Sequence, residues 1–416
     1  MEKRMEAKGE EALPSGTRGP RLRLLVAYAG YTLTTNATLS SAVWIIYLAH
    51  HGYSPVVIGL LEMTLHVTKL GAEIPTGIYA DLLGRRRSLV VYCCLSAAAM
   101  LCLALSFWPL IVLAFVLWGL AFAFRGGAEE ALLWGLARRL VSDERLQQRY
   151  YSHLISRIYL LVLVAEAVST SAGGLLGQVQ ETLPFLVQAA LSLLGMLPLL
   201  VLPEERGASQ GQPLQHLLQG LRAVRGDRVL VGLLVLAGLV EGCGLTIYYY
   251  HQLYLADLGL TLAQVGLVIA ASQVISFACT ALAPVLLARL ARARLLLLLL
   301  SALASGLLLM SLPLAPLSLA GFLVLFQGAY ALWQPVISTW LNERSPEAQR
   351  ATVLSLQTAF FSVTMVVLFP LFGLGIGETS YRLLYRALVL VMSGGLVISG
   401  LGLLWGRQRG ASRERS

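Results

Sequence analysis

The chain has 416 residues, of which 57% are hydrophobic and only 13% are charged, and its formal net charge is +9. Its mean hydropathy is +0.73. Since soluble proteins carry about 25% charged residues, this composition excludes a water-soluble globule. Apolar runs of about 20 residues recur along the chain, and each can cross the hydrocarbon core of a bilayer. The basic residues lie in the connectors between these runs, so we expect no nucleic-acid partner.

The cysteines all lie inside the apolar runs, and none has the spacing of a metal ligand with a histidine or another cysteine pair. We therefore interpret them as small packing residues and expect no disulfide framework and no metal site. They are Cys93, Cys94, Cys102, Cys243 and Cys279.

In chain order, the sequence begins with a polar tail at 1–22 that mixes both charge signs and has no apolar core, unlike a signal peptide. Twelve transmembrane helices follow, which we call spans one to twelve. They are predicted at 23–50, 55–82, 88–107, 109–138, 150–178, 183–202, 228–256, 262–289, 294–313, 317–343, 350–377 and 382–406. A polar linker at 203–227 separates two six-helix bundles, 23–202 and 228–406, and a tail follows at 407–416. The predicted fold class is an all-α integral membrane protein.

The basic residues predict the orientation of these spans. Except for Lys69, Arg125, Arg157, Arg382 and Arg386, all of them lie in the two tails or in alternate connectors. Connectors rich in Lys and Arg stay on the cytosolic side. We therefore expect both termini to face the cytosol.

An internal repeat relates the two halves. Residues 47–60 (YLAHHGYSPVVIGL) align without a gap with residues 254–267 (YLADLGLTLAQVGL), 207 positions later. A gapless match at about half the chain length indicates two joined, similar units, as in many transporters. The charged residues of span two are not repeated in span eight, which favours the N-terminal half as the seat of ion coupling.

The connector after span two carries the sequence Gly77-Ile-Tyr-Ala-Asp81-Leu-Leu-Gly84-Arg85-Arg86-Arg87. This resembles the cytosolic loop signature of the major facilitator superfamily. The resemblance implies two pseudo-symmetric six-helix bundles and a loop that latches them together on the cytosolic side when the outer side is open. The residues that carry this predicted cytosolic gate are Gly77, Asp81, Gly84, Arg85 and Arg86. The equivalent loop of the second half has Ala288 in place of Asp81, so the latch is expected to work mainly from the first half.

Three further segments resemble a bacterial branch of that superfamily whose members include drug exporters: 73–77 (EIPTG), 124–131 (FRGGAEEA) and 171–177 (SAGGLLG). The resemblance implies a multi-pass protein of the bacterial inner membrane. Proton-coupled drug antiporters carry Gly-Pro before the paired glycine of span five, whereas this chain has Ser169-Thr170 there. That difference weakens the hypothesis of drug/proton antiport, but it does not weaken the hypothesis of transport.

Several ionisable residues lie inside the predicted spans, where each costs at least about 2.5 kcal/mol to insert. In span two, Glu62, His66, Lys69 and Glu73 share one helix face, which we expect to point inward. They either neutralise one another or handle substrate and protons. In span four, Arg125 and Glu129 are spaced as an i, i+4 pair, and Arg125 is either a substrate-facing cation or the partner of Glu129.

The resemblance implies that spans one, four, seven and ten line a central cavity. The residues that we expect to bind substrate are Asn36, Arg125, Glu129, Glu241, Tyr248, Gln327, Tyr330 and Gln334. The residues that we expect to couple transport to protons are Glu62, Lys69, Glu73, Glu129, Glu166 and Glu241. Trp44, Trp118, Trp333 and Trp340 add aromatic surface. Such a mixture suits an amphipathic organic molecule of moderate size.

The sequence contains no Walker A, Gly-x-Ser-x-Gly or His-Glu-x-x-His motif, so we expect neither an enzyme nor a bound cofactor. The leading hypothesis is a secondary active transporter that exports small amphipathic compounds in exchange for protons. The alternatives are uptake or facilitated diffusion of an anionic metabolite held by Arg125 and Lys69, and a non-transporting receptor or lipid translocator on the same scaffold. We expect a monomer whose partners are a small-molecule substrate, protons and membrane lipids.

Overall fold

The computed structural model describes residues 18–141, 143–204, 227–345, 350–378 and 380–390, and these are helical apart from short turns. The N-terminal half contains six helical units in chain order. Span one is Arg18–Thr35, the 3-10 turn Leu39–Ala42 and Trp44–His50; span two is Pro55–Leu83; span three is Arg85–Ala104; span four is Trp108–Arg125 with Ala128–Leu140; span five is Glu144–Val179; span six is Leu183–Leu194 with Met196–Val201.

The C-terminal half follows the same plan. Span seven is Arg228–Asp257; span eight is Leu262–Ala281 with Ala283–Arg289; span nine is Arg292–Met310; span ten is Ala315–Ala320, the π-helical turn Gly321–Phe326 and Gln327–Arg344; span eleven is Arg350–Glu378; span twelve begins with a helix at 381–390. Among the described residues, ten helices, those of spans two to eleven, are long and apolar enough to cross a membrane. The predicted all-α membrane fold is confirmed. Most of the predicted N-terminal tail, linker, twelfth span and C-terminal tail lies outside the described residues.

The repeated segment has the same backbone geometry in both halves. Gly52 and Gly259 have φ angles of 83° and 89°, a left-handed conformation that L residues rarely adopt. After each of these helices, an amide donates to the carbonyl five residues back. In the N-terminal half the Tyr53 amide donates to the Leu48 carbonyl, and in the C-terminal half the Leu260 amide donates to the Leu255 carbonyl. This is the Schellman arrangement that ends many helices.

The next helix of each half then starts at an equivalent capping residue. The Ser54 hydroxyl accepts from the amide of Val57, and the Thr261 hydroxyl accepts from the amide of Gln264. These caps satisfy amide groups that have no partner inside the helix. The near-identity of Ser54 and Thr261 is therefore explained by the turn that both must make.

The two halves pack through spans two and eleven and through spans five and eight. Glycines permit these close contacts. A Cβ atom on Gly174 of span five would lie 2.6 Å from the carbonyl oxygen of Leu262, and one on Gly59 of span two would lie 2.6 Å from the Cα atom of Pro370. We call the two ends of the molecule outer and cytosolic according to the predicted orientation. With these names, both contacts lie in the outer part.

Aromatic residues seal the outer end between the halves. The Tyr250 hydroxyl of span seven lies 2.9 Å from the carbonyl oxygen of Pro55 in span two and 3.1 Å from that of Phe369 in span eleven. Trp44 of span one packs edge-on against Tyr249 with 5.1 Å between ring centroids, and it stacks on Phe369 at 6.4 Å. The described conformation is therefore closed at the outer end.

Candidate functional site

A cavity of about 230 Å³ lies between the two halves, directly inside the aromatic seal. Spans one, four, five and six of the N-terminal half and spans seven and eight of the C-terminal half build it, so both halves contribute. Its lining consists of hydroxyl, amide and aromatic side chains with one carboxylate. The lining residues are Thr38, Ser40, Ser41, Trp118, Phe122, Glu166, Gln188, Tyr248, Tyr249 and Gln273.

Glu166 supplies the carboxylate of this cavity. Its side chain is partly exposed to the cavity, and its backbone carbonyl accepts a hydrogen bond from Ser169 at 3.1 Å. Within the described part of the chain, no side chain donates a hydrogen bond to its carboxylate. A carboxylate in this setting is available to a proton or to a cationic group of a ligand.

Breaks in span one bring small polar groups to the cavity. The first helix ends at Thr35, and the chain then turns through Leu39–Ala42 before it resumes a helix at Trp44. Gln188 of span six holds this turn, because its side-chain oxygen accepts from the amide of Ser40 at 2.8 Å. On the opposite side, Tyr248 of span seven and Gln273 of span eight line the cavity.

The two halves also meet at the edge of the cavity. The Gln273 amide of span eight donates to the Thr170 hydroxyl of span five at 3.4 Å. Thr170 is one of the two residues that replace the Gly-Pro of drug antiporters. The departure from the motif therefore places a hydroxyl at the contact between the halves.

Arg125 lies outside the lining of this cavity and is surrounded by partners in the N-terminal half. Its guanidinium donates to the Glu129 carboxylate at 2.6 Å and 3.3 Å, to the Asn36 side-chain oxygen at 2.7 Å and to the Tyr92 hydroxyl at 3.3 Å. It also lies over the Tyr92 ring, 5.3 Å from the centroid. The structure therefore brings together three of the predicted substrate residues, Asn36, Arg125 and Glu129, in one network.

Glu241 belongs to a second polar cluster, in the C-terminal half. Its carboxylate accepts from the Gln334 amide at 2.8 Å and from the Gln357 amide at 3.5 Å, and Gln357 also donates to Gln334 at 3.0 Å. The Tyr330 hydroxyl donates to the backbone carbonyl of Glu241 at 3.3 Å. Gln327, although predicted on the same helix face, is buried and donates to Ser272 of span eight at 3.3 Å.

The charged stripe of span two divides into a buried and a more accessible part. Glu62 and His66 are 5% and 4% exposed, and their side chains lie 3.5 Å apart. Lys69 and Glu73 are less buried, and the Lys69 ammonium lies over the ring of Phe361 in span eleven, 5.9 Å from its centroid. The stripe thus faces the contact between the halves.

The predicted gate loop is held by a residue that the motif does not contain. A Cβ on Gly84, whose φ is 114°, would collide with the Glu204 side chain. Glu204 accepts from the backbone amide of Arg86 at 3.0 Å and forms ion pairs with Arg86 and Arg87 at 3.3 Å and 3.8 Å. Arg85 donates to the carbonyl of Ala131 at 3.2 Å.

The two other gate residues are more open. Gly77 is exposed, and no atom lies within 4 Å of the position that its Cβ would occupy. Asp81 is half-buried, and among the described residues no donor is bonded to its carboxylate. Among the described residues, the contacts of Arg85, Arg86 and Arg87 all lie within the N-terminal half.

Sequence reasoning missed most of the uncharged cavity residues, namely Thr38, Ser40, Ser41, Phe122, Gln188, Tyr249 and Gln273. The sequence pattern draws attention to charged residues and to the four spans that the resemblance singles out. Gln188 and Gln273 are amides within otherwise apolar runs, and this isolation was the available signal.

Comparison with known proteins agrees with this architecture. The sequence profile of the Major Facilitator Superfamily matches residues 24–367 and, separately, 252–416. The uncharacterized MFS-type transporter YxaM of Bacillus subtilis (strain 168) is 25% identical over 245 residues, which cover 55% of this chain and 58% of YxaM. The match therefore spans little more than half of that relative.

Two solved structures share the fold. A point mutant of the nucleoside transporter NupG superposes with a TM-score of 0.78 and 14% identity, over 92% of this chain and 100% of that chain. A bacterial homologue of the human lysosomal transporter Spinster, in an inward-facing and unoccupied conformation, gives a TM-score of 0.67 and 16% identity over 92% of this chain and 94% of that chain. The part of the chain that the structure describes thus holds ten helices long and apolar enough to cross a membrane, in two similar halves around a cavity, and this is the architecture of a multi-pass membrane protein. The chain belongs to the Major Facilitator Superfamily.

Proposed function

We propose that this protein is a secondary active transporter that works by alternating access and exports small amphipathic organic compounds in exchange for protons. The observation that carries the proposal is the cavity between the halves, which contains a carboxylate without a partner among the described residues and is sealed on the outer side. A site that is closed at one end and lies between two similar bundles is suited to alternating access.

The lining supports an uncharged or cationic substrate. Trp118, Phe122, Tyr248 and Tyr249 offer ring faces and edges, which favour flat apolar groups and cations. Gln188 and Gln273 offer amide groups that orient a ligand by hydrogen bonds. The described lining includes a carboxylate and no lysine or arginine, so it favours a cation over an anion.

Glu166 is our candidate for the coupling acid. A carboxylate that is removed from water prefers its neutral form, whereas a nearby cation favours the charged form. A proton and a cationic substrate would therefore compete for Glu166, and competition at one site couples their movement in opposite directions. Glu241 and Glu129, which have protein donors, are expected to support this site, as are Glu62, Glu73 and Lys69.

The anionic-metabolite alternative requires free cations at the site. Arg125 is bonded to Glu129, Asn36 and Tyr92 and lies outside the lining, and Lys69 lies against Phe361. Because its guanidinium already donates to these three groups, Arg125 would have to give up existing hydrogen bonds to clamp a carboxylate or phosphate. This geometry supports a cationic or uncharged substrate over an anionic one.

The test is transport in proteoliposomes with ethidium as a cationic probe and uridine as an uncharged one. We expect an imposed pH gradient to drive accumulation of ethidium by the parent protein. Glu166→Gln should abolish this gradient-driven accumulation while exchange of ethidium without a gradient continues. Glu181→Gln, in the outer connector, is the matched control and should behave like the parent. Gradient-driven accumulation at the parent rate in Glu166→Gln would exclude Glu166 as the coupling acid.

A further inference from the structure

One face of span eleven contacts opposite charges from the two halves. The Gln357 amide donates to the Glu241 carboxylate of span seven at 3.5 Å. The ring of Phe361, one helical turn further along span eleven, has the Lys69 ammonium of span two over it, 5.9 Å from the centroid. Residues four apart lie on the same face of a helix. Lys69 and Glu241 therefore lie near each other across the contact between the halves, and their charges attract.

The two charges do not form an ion pair in the described conformation. The Glu241 carboxylate accepts from the Gln334 amide at 2.8 Å as well as from Gln357. Within the described ranges, Lys69 forms no ion pair, and its ammonium lies against the Phe361 ring instead. A second carboxylate that attracts it, Glu73, lies one turn away on its own helix. Lys69 thus has two candidate partners, one in each half.

Both charges lie on the cytosolic side of the outer seal. Lys69 lies midway along span two, whose outer end at Pro55 accepts from Tyr250. Glu241 lies two turns before the cavity residue Tyr248, toward the cytosolic end of span seven. If the halves part at the outer end, they must close on the cytosolic side of the cavity. That movement brings Lys69 and Glu241 toward each other.

Closure also strengthens the attraction between these charges. Lys69 and Glu241 are both partly exposed in the described conformation. Two opposite charges attract far more strongly in the protein interior than in water, because water screens them. An unpaired charge inside a membrane protein is costly. Once the surrounding water is expelled, the ammonium is therefore better placed on the Glu241 carboxylate than over a ring.

We propose that Lys69 and Glu241 form an ion pair between the halves when the cytosolic side closes, and that this pair stabilises the conformation that is open at the outer end. Phe361 and Gln357 hold the two partners apart in the described conformation. The proposal rests on the alternating access proposed above. It gives Lys69 a role in the conformational cycle that does not require an anionic substrate.

The test uses spin labels at Arg138→Cys and Ala291→Cys, exposed positions at the cytosolic ends of opposite halves, in a background without native cysteines. Double electron–electron resonance in lipid nanodiscs measures the distance between them. We expect a long and a short distance in the parent, the short one from the closed cytosolic side. Lys69→Glu places like charges together and should lower the short-distance population by about fivefold. Adding Glu241→Lys restores opposite charges and should return this population to near the parent level.

Glu73 provides the matched control, because it is the second carboxylate that attracts Lys69 and lies on the same helix. Lys69→Glu combined with Glu73→Lys also exchanges two opposite charges, but it leaves a glutamate at position 69 facing Glu241. The short-distance population should therefore stay low. Rescue by Glu73→Lys as complete as that by Glu241→Lys would overturn the proposal, as would a parent-like population in Lys69→Glu.

Neutral variants decide the case in which a charge-reversed protein does not fold. Lys69→Gln and Glu241→Gln should each lower the short-distance population, and the double variant should lower it no further, because either substitution already removes the pair. Losses that add in the double variant would contradict an ion pair. A parent with a single cytosolic distance, with and without ethidium, would refute alternating access and the proposed function. Two distances that do not depend on these charges would refute only the pair.

Discussion

The Nε atom of Arg125 lies 2.6 Å from the Glu129 carboxylate, although the helix that carries Arg125 ends at that residue. Gly126 and Gly127 separate the two side chains, and Gly127 has a φ of 69°. The ion pair therefore spans a break in span four. Through Asn36, the same guanidinium reaches the break in span one. One arginine thus ties together two interrupted helices of the N-terminal half.

Loss of this tie should destabilise the N-terminal half. Removing one partner of a largely buried ion pair leaves the other charge uncompensated, so Glu129→Ala is expected to lower the free energy of unfolding by roughly 3 kcal/mol. Glu130→Ala, at the exposed next position, should change it by less than about 0.5 kcal/mol. Thermal unfolding in detergent, followed by tryptophan fluorescence, measures the difference. Equal melting temperatures for the two variants would show that the pair contributes little.

Closure of the outer end should depend on Gly174. A Cβ atom there would lie 2.6 Å from the Leu262 carbonyl oxygen and 2.9 Å from the Cα atom of Gly266, both in the other half. Gly174→Ala is therefore expected to shift the protein toward an open outer end and to reduce transport strongly. Gly71→Ala is the control, because no atom lies within 4 Å of the position of its Cβ. The distance between spin labels at Gln180→Cys and Leu314→Cys, in outer connectors of opposite halves, should lengthen in Gly174→Ala only. Equal distances in the two variants would contradict the role of this contact.

The Tyr250 hydroxyl should contribute measurably to the outer seal. Tyr250→Phe removes the hydrogen bonds to Pro55 and Phe369 but keeps the ring. A hydrogen bond contributes about 1 kcal/mol net, so the ratio of open to closed molecules is expected to rise about fivefold. Tyr79→Phe, on a ring that packs against Phe124 within the N-terminal half, provides the comparison. The same spin-label distances report the ratio, and no change in Tyr250→Phe would place the seal elsewhere.

Acid should weaken the contact between the start of span seven and the end of span ten. Arg344 donates to the Asp227 carboxylate at 2.7 Å and 3.0 Å, and this bonding lowers the pKa of Asp227. Because the folded pKa is lower than the unfolded one, the stabilisation is complete above the ordinary aspartate pKa of about 3.9 and is lost as the pH falls through the lowered value.

The corresponding measurement is the melting temperature of the parent and of Asp227→Asn as a function of pH. Asparagine keeps the helix cap and loses the ion pair. The difference between the two proteins should be constant above about pH 5 and narrow below about pH 4. Glu343→Gln, which removes an exposed ion pair with Arg292, should show a smaller difference. A difference in melting temperature that grows as the pH falls would contradict a lowered pKa of Asp227.

The sequence alone determined the class of the protein, its helices and its duplication. The length and spacing of apolar runs predict membrane spans because a bilayer requires about 20 residues per helix. The repeat aligns Gly52 with Gly259, and the φ angles of these two glycines are 83° and 89°. The loop motif identified the family because its residues lie in one continuous segment, 77–87. Each of these features is a pattern within one continuous stretch of the chain, so it can be read without knowing which helices pack together.

Only the tertiary structure decided which polar residues meet. The spacing of Arg125 and Glu129 predicted a pair on one continuous helix, whereas the helix is interrupted between them. Gln327 shares a helix face with Gln334 in sequence, yet it bonds to Ser272 instead of joining the Glu241 cluster. The cavity forms where spans from both halves cross. A single hydroxyl or amide in a span has no sequence periodicity that would predict which residue of another span it meets. The packing of the halves, through their glycines and aromatic rings, decided which of these groups lies at the site.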